Sequence, residues 1–201
     1  LRTGPLGGMV GLPQGHGLPS ASLSATLPGQ SPMHAKTAHH PPGMTHDRLL
    51  LWVDGVGTYL LLTADRVSLG RTGSSARPDL ALAPDLSGYH AEILRAEEDY
   101  FIVAAQGHVE VGGQRVTRKL LANGDSIALG SSCKLTFDLP TALSPTAVLT
   151  LRGQRIEGDV RKIILFKEHL LIGPGAGCHV QAPAKCGTVV LCAGPGGLVC
   201  R

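Results

Sequence analysis

Short apolar runs separated by turn residues fill the chain from Leu49 to about residue 138. In 126–129 and in 134–137 the bulky apolar side chain falls on every second residue, which is the period of a strand with one buried face. Eleven such runs within about 90 residues predict an all-β, eleven-stranded β-sandwich with little helix. The predicted strands are 49–53, 58–63, 67–70, 79–82, 90–94, 100–104, 108–111, 114–116, 118–121, 125–130 and 133–138.

After this segment the pattern passes through a Pro-containing joint, 140–149, and then starts again. Gly173 follows Gly70 at an offset of 103 residues, and the turn and strand residues before them repeat at the same offset. Self-similarity at a fixed offset is the signature of an internal repeat. We therefore expect one domain over 49–139, a linker, and a partial, degenerate second β-sandwich unit over 150–201.

Residues 1–48 differ from the rest, since they contain eight Gly, seven Pro and a single acidic residue. They show neither helical nor strand periodicity, so a disordered tail or linker is predicted. Five histidines in this tail have no fixed geometry for a metal and are interpreted as solvated. They are His16, His34, His39, His40 and His46.

Charge and cysteine content exclude several classes of partner. The 18 Lys and Arg against 15 Asp and Glu show no clustered basic face, so no nucleic acid is expected. No run reaches the roughly 20 apolar residues of a membrane span, and the opening does not resemble a secretory signal. The five cysteines include no C-x-x-C pair and match no zinc spacing. These features predict a cytoplasmic protein without metal, cofactor or membrane insertion.

Two polar loops carry the candidate chemistry. Arg71 stands where a predicted strand ends and opens a loop with hydroxyls at Thr72 and Ser74. Such a loop offers the charge and directed donors that a phosphate monoester requires. The next loop places Ser87 three residues before His90. Ser87 can donate to a phosphate oxygen, whereas His90 is expected to brace the loop.

Four short motifs follow one another along the strand pattern. They are Gly70-Arg71, Ser87-x-x-His90-Ala91, Val111-Gly112-Gly113 and Leu121-x-x-Gly124-Asp125. In this order and spacing, residues 49–138 resemble the forkhead-associated (FHA) domain family.

The resemblance implies a β-sandwich whose loops at one end bind a phosphothreonine peptide. It implies that Arg71 and Ser87 contact the phosphate, and that His90 organises the loop together with Gly70 and Gly113. The partner would be a phosphorylated protein of a Ser/Thr kinase signalling pathway.

Two positions depart from the family. Gly112 stands where an Asn amide usually holds the peptide main chain, and loss of such a hydrogen bond costs about 0.5–1.5 kcal/mol. Gly88 replaces a residue that often adds a phosphate contact. Binding is therefore expected to be weaker, or to rely on Thr72, Ser74, Ser75 and Arg77.

The sequence also bears on two other classes of function, an enzyme and an assembly scaffold. An enzyme is not expected, because no G-x-S-x-G elbow surrounds Ser87 and no P-loop or dinucleotide fingerprint occurs. A scaffold of tandem FHA-like units that assembles without phosphorylation stays open. The second unit carries Pro174 in the place of Arg71, so that unit is predicted not to bind phosphate.

Overall fold

The computed structural model describes residues 48–185, 187–194 and 197–201. These residues form seventeen β-strands and no helix, which confirms the all-β fold class. Eleven strands lie between Arg48 and Asp138, as many as the sequence predicts there, with bounds within two residues of the expected ones. The predicted tail lies, apart from Arg48, outside the described residues.

The first eleven strands are β1 (Arg48–Val53), β2 (Gly57–Leu62), β3 (Arg66–Arg71), β4 (Leu80–Ala83), β5 (Ala91–Ala96), β6 (Asp99–Ala104), β7 (Val109–Val111), β8 (Gln114–Arg115), β9 (Arg118–Leu120), β10 (Asp125–Leu129) and β11 (Cys133–Asp138). The remaining six are β12 (Ala147–Arg152), β13 (Lys162–Leu165), β14 (His169–Gly173), β15 (Val180–Gln181), β16 (Val189–Gly194) and β17 (Gly197–Cys200). Across the described ranges, no helix is long and apolar enough to cross a membrane.

The strands form three sheets. An eight-stranded sheet has the order β1-β2-β13-β12-β11-β10-β7-β8, a five-stranded sheet the order β4-β3-β5-β6-β9, and a four-stranded sheet the order β15-β14-β16-β17. A large apolar cluster lies between the eight-stranded and five-stranded sheets, and a smaller cluster lies between the β1-β2-β13 end and the four-stranded sheet. At that end the eight-stranded sheet is therefore the middle of three layers.

Strand β2 is buried on both faces. Leu60 and Leu62 enter the large cluster, whereas Tyr59 and Leu61 enter the small one. Strand β13 divides its side chains between the two clusters in the same way. A strand covered on both faces needs apolar residues at every position, which explains the continuous apolar runs in these two segments.

The two halves of the chain meet in one sheet. Strand β13 pairs with β2 in parallel, with Leu60 opposite Ile163 and Leu62 opposite Leu165, so the register equals the 103-residue offset of the sequence. The neighbouring β12 pairs antiparallel with β11. The β12–β13 pair thus separates β2 from β11 in the sheet.

This topology bears on the expected domain boundaries. Strand β12 begins at Ala147, inside the interval 140–149 that the sequence suggests as a linker. The order β15-β14-β16-β17 repeats the order β4-β3-β5-β6, with the first pair parallel and the second antiparallel in both sheets. The matching strand order supports the repeat over 150–201, which stays a prediction. Within that segment, β13 pairs with β2 and therefore lies in the same sheet as strands of the first domain.

A buried arginine joins the two halves. The Arg95 side chain is 4% exposed, and its Nε donates to the Asp65 carboxylate at 2.8 Å. Its Nη1 donates to the carbonyl oxygen of Phe166 at 2.9 Å, and its Nη2 donates to that of Thr63 at 3.2 Å. A planar fork of donors suits this arrangement, which a lysine could not reproduce. Arg95 therefore ties β5 to the chain that leaves β13.

Candidate functional site

The loops after β3 and β4 lie side by side, and the backbone holds them there. Arg71 is the last residue of β3, and its N–H donates to the carbonyl oxygen of Ser87 at 3.0 Å. The N–H of Thr72 donates to the carbonyl oxygen of Ala83 at 3.4 Å. These bonds bring Arg71 and Ser87, the two expected phosphate ligands, to neighbouring positions on one end of the sandwich.

Close approach of the two loops accounts for two glycines. A Cβ on Gly70 would lie 2.2 Å from the carbonyl oxygen of Gly88, which is backbone and cannot rotate away. A Cβ on Gly88 would lie 2.7 Å from the Ser74 hydroxyl oxygen, which can rotate. Gly70 is thus required by packing, whereas Gly88 lets the two loops close without displacing the Ser74 side chain.

The arginine at the centre of this surface is free of intramolecular partners in the described part of the chain. Arg71 is exposed, and among the described residues its guanidinium makes neither a hydrogen bond nor an ion pair. Thr72 is also exposed. Ser74 accepts a hydrogen bond from the N–H of Ala76 at 3.1 Å, which leaves its own hydroxyl hydrogen available to a ligand.

The hydroxyl of Ser87 is engaged within the protein. Its Oγ donates to the carbonyl oxygen of Gln106 at 3.1 Å. Donation to a phosphate oxygen requires that the hydroxyl give up this bond and leave the Gln106 carbonyl to water. Since Gln106 is exposed, the exchange is feasible, but its net gain is smaller than for a free donor.

His90 is buried and bridges two loops. The N–H of Ser87 donates to His90 Nδ1 at 3.2 Å, so Nδ1 is an acceptor and Nε2 carries the hydrogen. Nε2 donates to the carbonyl oxygen of His108 at 3.0 Å. The His90 carbonyl oxygen also accepts the N–H groups of Ala105 and Gly107, both at 3.0 Å. The ring therefore fixes the β4–β5 loop against the β6–β7 loop, and both of its nitrogens are used within the protein.

Gly107 packs directly on that ring. A Cβ built on Gly107 would lie 2.1 Å from His90 Nδ1, so Gly107→Ala must push the imidazole out of its two hydrogen bonds. We expect a loss of about 1–3 kcal/mol in the free energy of unfolding, the usual cost of overpacking. In a His90→Ala background the methyl group would occupy vacated space, so the second substitution should cost little.

A double-mutant cycle measured by denaturant unfolding checks this contact. Strong coupling between the two positions is the expected result. Additive losses would show that the ring and Gly107 do not share the space that the structure gives them.

The structure does not bring every predicted site residue to this surface. Gly112 and Gly113, with φ of +61° and +78°, form the turn between β7 and β8. His108 immediately precedes β7 and contacts His90, whereas this turn follows β7. The three residues of β7 therefore separate the turn from His108. Gly112 is thus at the far end of β7 from Arg71 and Ser87, where its N–H donates to the carbonyl oxygen of Ser126 at 2.9 Å.

Sequence reasoning also missed a polar group at the site end. The Asp85 carboxylate accepts hydrogen bonds from the hydroxyls of Ser131, at 2.9 Å, and Ser132. These two bonds, that from Ser132 first, hold the pKa of Asp85 below its usual value. Asp85 is therefore ionised at neutral pH, in the same loop as Ser87. The only sequence signal for it was the Ser-Ser pair that follows Gly130.

At the corresponding end of the four-stranded sheet, the described residues place no cation directly after Gly173. A Cβ on Gly173 would lie 2.9 Å from Thr188 Oγ1, a close approach like that at Gly70. Pro174 follows, and the nearby His179 is buried with its Nδ1 accepting the N–H of Leu171 at 3.0 Å. Burial lowers the pKa of His179, so it is neutral at physiological pH.

The cysteines form no metal centre among the described residues, where no group of three or more potential ligands converges. Cys133 and Cys178 are buried, and Cys200 is exposed. Burial raises the pKa of the Cys133 thiol to about 11, so that thiol is protonated and unreactive at neutral pH. Cys186 lies outside the described residues.

The chain is similar to several solved FHA domains. No protein-family model matches the chain, and no curated protein matches it. An FHA-2 domain of a Mycobacterium tuberculosis ABC transporter is 24% identical and aligns over 47% of this chain and 80% of its own, with a TM-score of 0.35. Mycobacterium tuberculosis EmbR, solved with a low-affinity phosphopeptide, is 25% identical over 44% of this chain and 23% of its own, with a TM-score of 0.36.

A third solved structure comes from another organism. The FHA domain of a Chlamydia trachomatis protein is 19% identical and aligns over 41% of this chain and 86% of its own, with a TM-score of 0.31. In these three alignments the chain is similar, over less than half of its length, to two solved FHA domains and to EmbR.

Proposed function

We propose that the end of the sandwich around Arg71 binds a phosphothreonine-containing segment of a partner protein, without catalysis. The observation that carries the proposal is the position of Arg71. It is an exposed guanidinium with no partner among the described residues, held by its own backbone N–H beside Ser87. A permanently charged planar fork matches the oxygens of a phosphate better than any other side chain.

The surroundings of Arg71 support the same ligand. The hydroxyl of Thr72 is exposed and that of Ser74 keeps its hydrogen, so both can donate to phosphate oxygens. Ser87 can add a further donor if it releases the Gln106 carbonyl. Because His90 fixes the loops in advance, the ligand does not have to order them on binding.

The charge of Asp85 limits the affinity. It is a fixed carboxylate two residues from Ser87, and a phosphate near neutral pH carries about −1.5 to −2 charges. Repulsion between them weakens binding, whereas a cationic side chain elsewhere in the peptide would be attracted. We therefore expect low affinity unless the peptide carries Lys or Arg close to the phosphothreonine.

Amide chemical shifts of the labelled full chain test this location. A degenerate phosphothreonine peptide library should shift the amides of Arg71, Thr72, Ser87 and Gly107, and the unphosphorylated library should not. Gly112, at the far end of β7, is the internal control and should stay in place. Shifts confined to other surfaces, or equal shifts with both libraries, would favour assembly independent of phosphorylation.

A further inference from the structure

The longest unprotected sheet edge of the described structure is strand β1. It pairs only with β2 among the described strands, and it presents two large apolar side chains to solvent, Leu50 at 65% and Trp52 at 75% exposure. Natural proteins usually blunt such edges with short strands, prolines or charges, because open edges pair with other chains. The other described edges are shorter than β1; they are β4, β8, β9, β15 and β17.

The two faces of β1 differ. Leu49, Leu51 and Val53 pack on the small apolar cluster, whereas alternate residues from Arg48 to Asp54 are exposed. Residues that face each other in an antiparallel pair lie on the same side of the sheet. A second β1 strand can therefore pair antiparallel only in a register that matches exposed residues with exposed ones.

We propose that β1 is a homodimer interface, in which the β1 strands of two copies pair antiparallel about Leu51 and join their eight-stranded sheets. In this register Leu50 faces Trp52 of the second copy, and Trp52 faces Leu50. At each end, Arg48 faces Asp54 of the second copy, which is the first residue of the turn that follows β1. Two antiparallel copies of this exposed face are therefore complementary to each other in both shape and charge.

Both charged residues are available for this pairing. Arg48 is exposed and uses Nη1 for a bond to the carbonyl oxygen of Asp79 at 2.9 Å, and its other donors have no partner among the residues that the structure describes. Asp54 is exposed and makes no ion pair with any described residue. The half-buried residues of β1 would meet across the dimer as well, with Leu51 against Leu51 and Leu49 against Val53. The small apolar clusters of the two copies would then be continuous.

The interface is small, which sets its strength. A tryptophan side chain buries about 150–250 Å² at most. Two Trp and two Leu side chains therefore bury well below the roughly 1,200–2,000 Å² of total surface that stable complexes bury. A weak dimer in rapid exchange is expected. Dimerisation through β1 does not require phosphopeptide binding.

Trp52 reports directly on the interface, because the chain contains a single tryptophan. Sedimentation and Trp emission of the full chain should be followed from about 1 μM to about 1 mM, the range of weak affinities. Mass should rise toward twice that of the monomer while the emission of Trp52 shifts to shorter wavelength in parallel. A chain that stays monomeric over this range would overturn the proposal.

Exchanging the charges of residues 48 and 54 distinguishes specific strand pairing from nonspecific association. Arg48→Asp and Asp54→Arg should each weaken dimerisation by about tenfold or more, since like charges then face each other at both ends. The double variant should restore the affinity to within a few-fold of the original. Leu143→Asp, at a side chain 83% exposed outside β1, is the control and should change nothing.

Other outcomes contradict the proposal. Single variants that dimerise like the original chain, or a double variant that fails to recover, would exclude this register. A blue-shifted Trp52 at the lowest concentration, which moves to longer wavelength when residues 1–47 are deleted, would show that this segment covers β1 instead. Equal melting temperatures across the variants confirm that each is folded.

Discussion

Deleting residues 140–201 is expected to abolish cooperative folding of the remaining chain. Strands β12 and β13 fill the gap between β2 and β11, so their loss leaves two unpaired edges inside the eight-stranded sheet. The deletion also removes five large side chains from the core of the first sandwich: Leu149, Leu151, Val160, Ile163 and Leu165. At about 1.5–3 kcal/mol each, this burial amounts to roughly 8–15 kcal/mol. The whole net stability of a typical domain is about 5–15 kcal/mol.

Circular dichroism and denaturant unfolding of the fragment 48–139 check this expectation. The fragment should lack a cooperative transition, and addition of the separate segment 140–201 should restore one. Deletion of residues 1–46 is the matched control, since the sequence predicts that they contribute little to the core. A cooperative transition of 48–139 alone would show that the first eleven strands close without β12 and β13.

Replacing Arg71 by alanine is expected to weaken phosphopeptide binding by about 10-fold to 150-fold. This range corresponds to the roughly 1.5–3 kcal/mol of a hydrogen bond to a charged group. Arg71→Lys keeps the charge but loses the planar fork, so its loss should be intermediate. Because Arg71 is exposed and its side chain makes no contact with described polar groups, neither variant should lower the melting temperature appreciably.

Arg77→Ala is the matched control for net charge. Arg77 is an exposed arginine of the same loop, and its loss should reduce the affinity by less than about threefold, the usual scale for an exposed surface charge. Fluorescence anisotropy with labelled peptides from the library measures all three variants. A loss for Arg77→Ala as large as that for Arg71→Ala would indicate general attraction to a positive loop, without a specific phosphate site.

Much of the fold was predictable because local pattern decides it. The alternation in 134–137 gives β11 its bounds, and Gly112-Gly113 gives the turn between β7 and β8. The pairing of β2 with β13 was not predictable, since an apolar run buried on two faces carries no information about which strand lies beside it. The repeat offset indicated that the two segments are related, but relation does not tell whether two units stand apart or share a sheet.

The site was predictable in part for the same reason. Arg71 and Ser87 belong to short motifs at strand ends, and loops at the same end of a sandwich meet. The engagement of Ser87 with Gln106 depends on the path of the β6–β7 loop, for which the sequence carries no marker. Gly112 was placed at the site by resemblance alone, and the three-residue length of β7 puts it at the other end.

Calorimetric titration of the full chain with paired libraries, identical except for the phosphate on threonine, shows whether the protein binds phosphothreonine. Heat and saturation are expected with the phosphorylated library only. Binding should be stronger when Lys or Arg flanks the phosphothreonine, and it should be lost in Arg71→Ala. Absence of phosphate-dependent binding to any pool, with the protein shown to be folded by its unfolding transition, would contradict the proposed function.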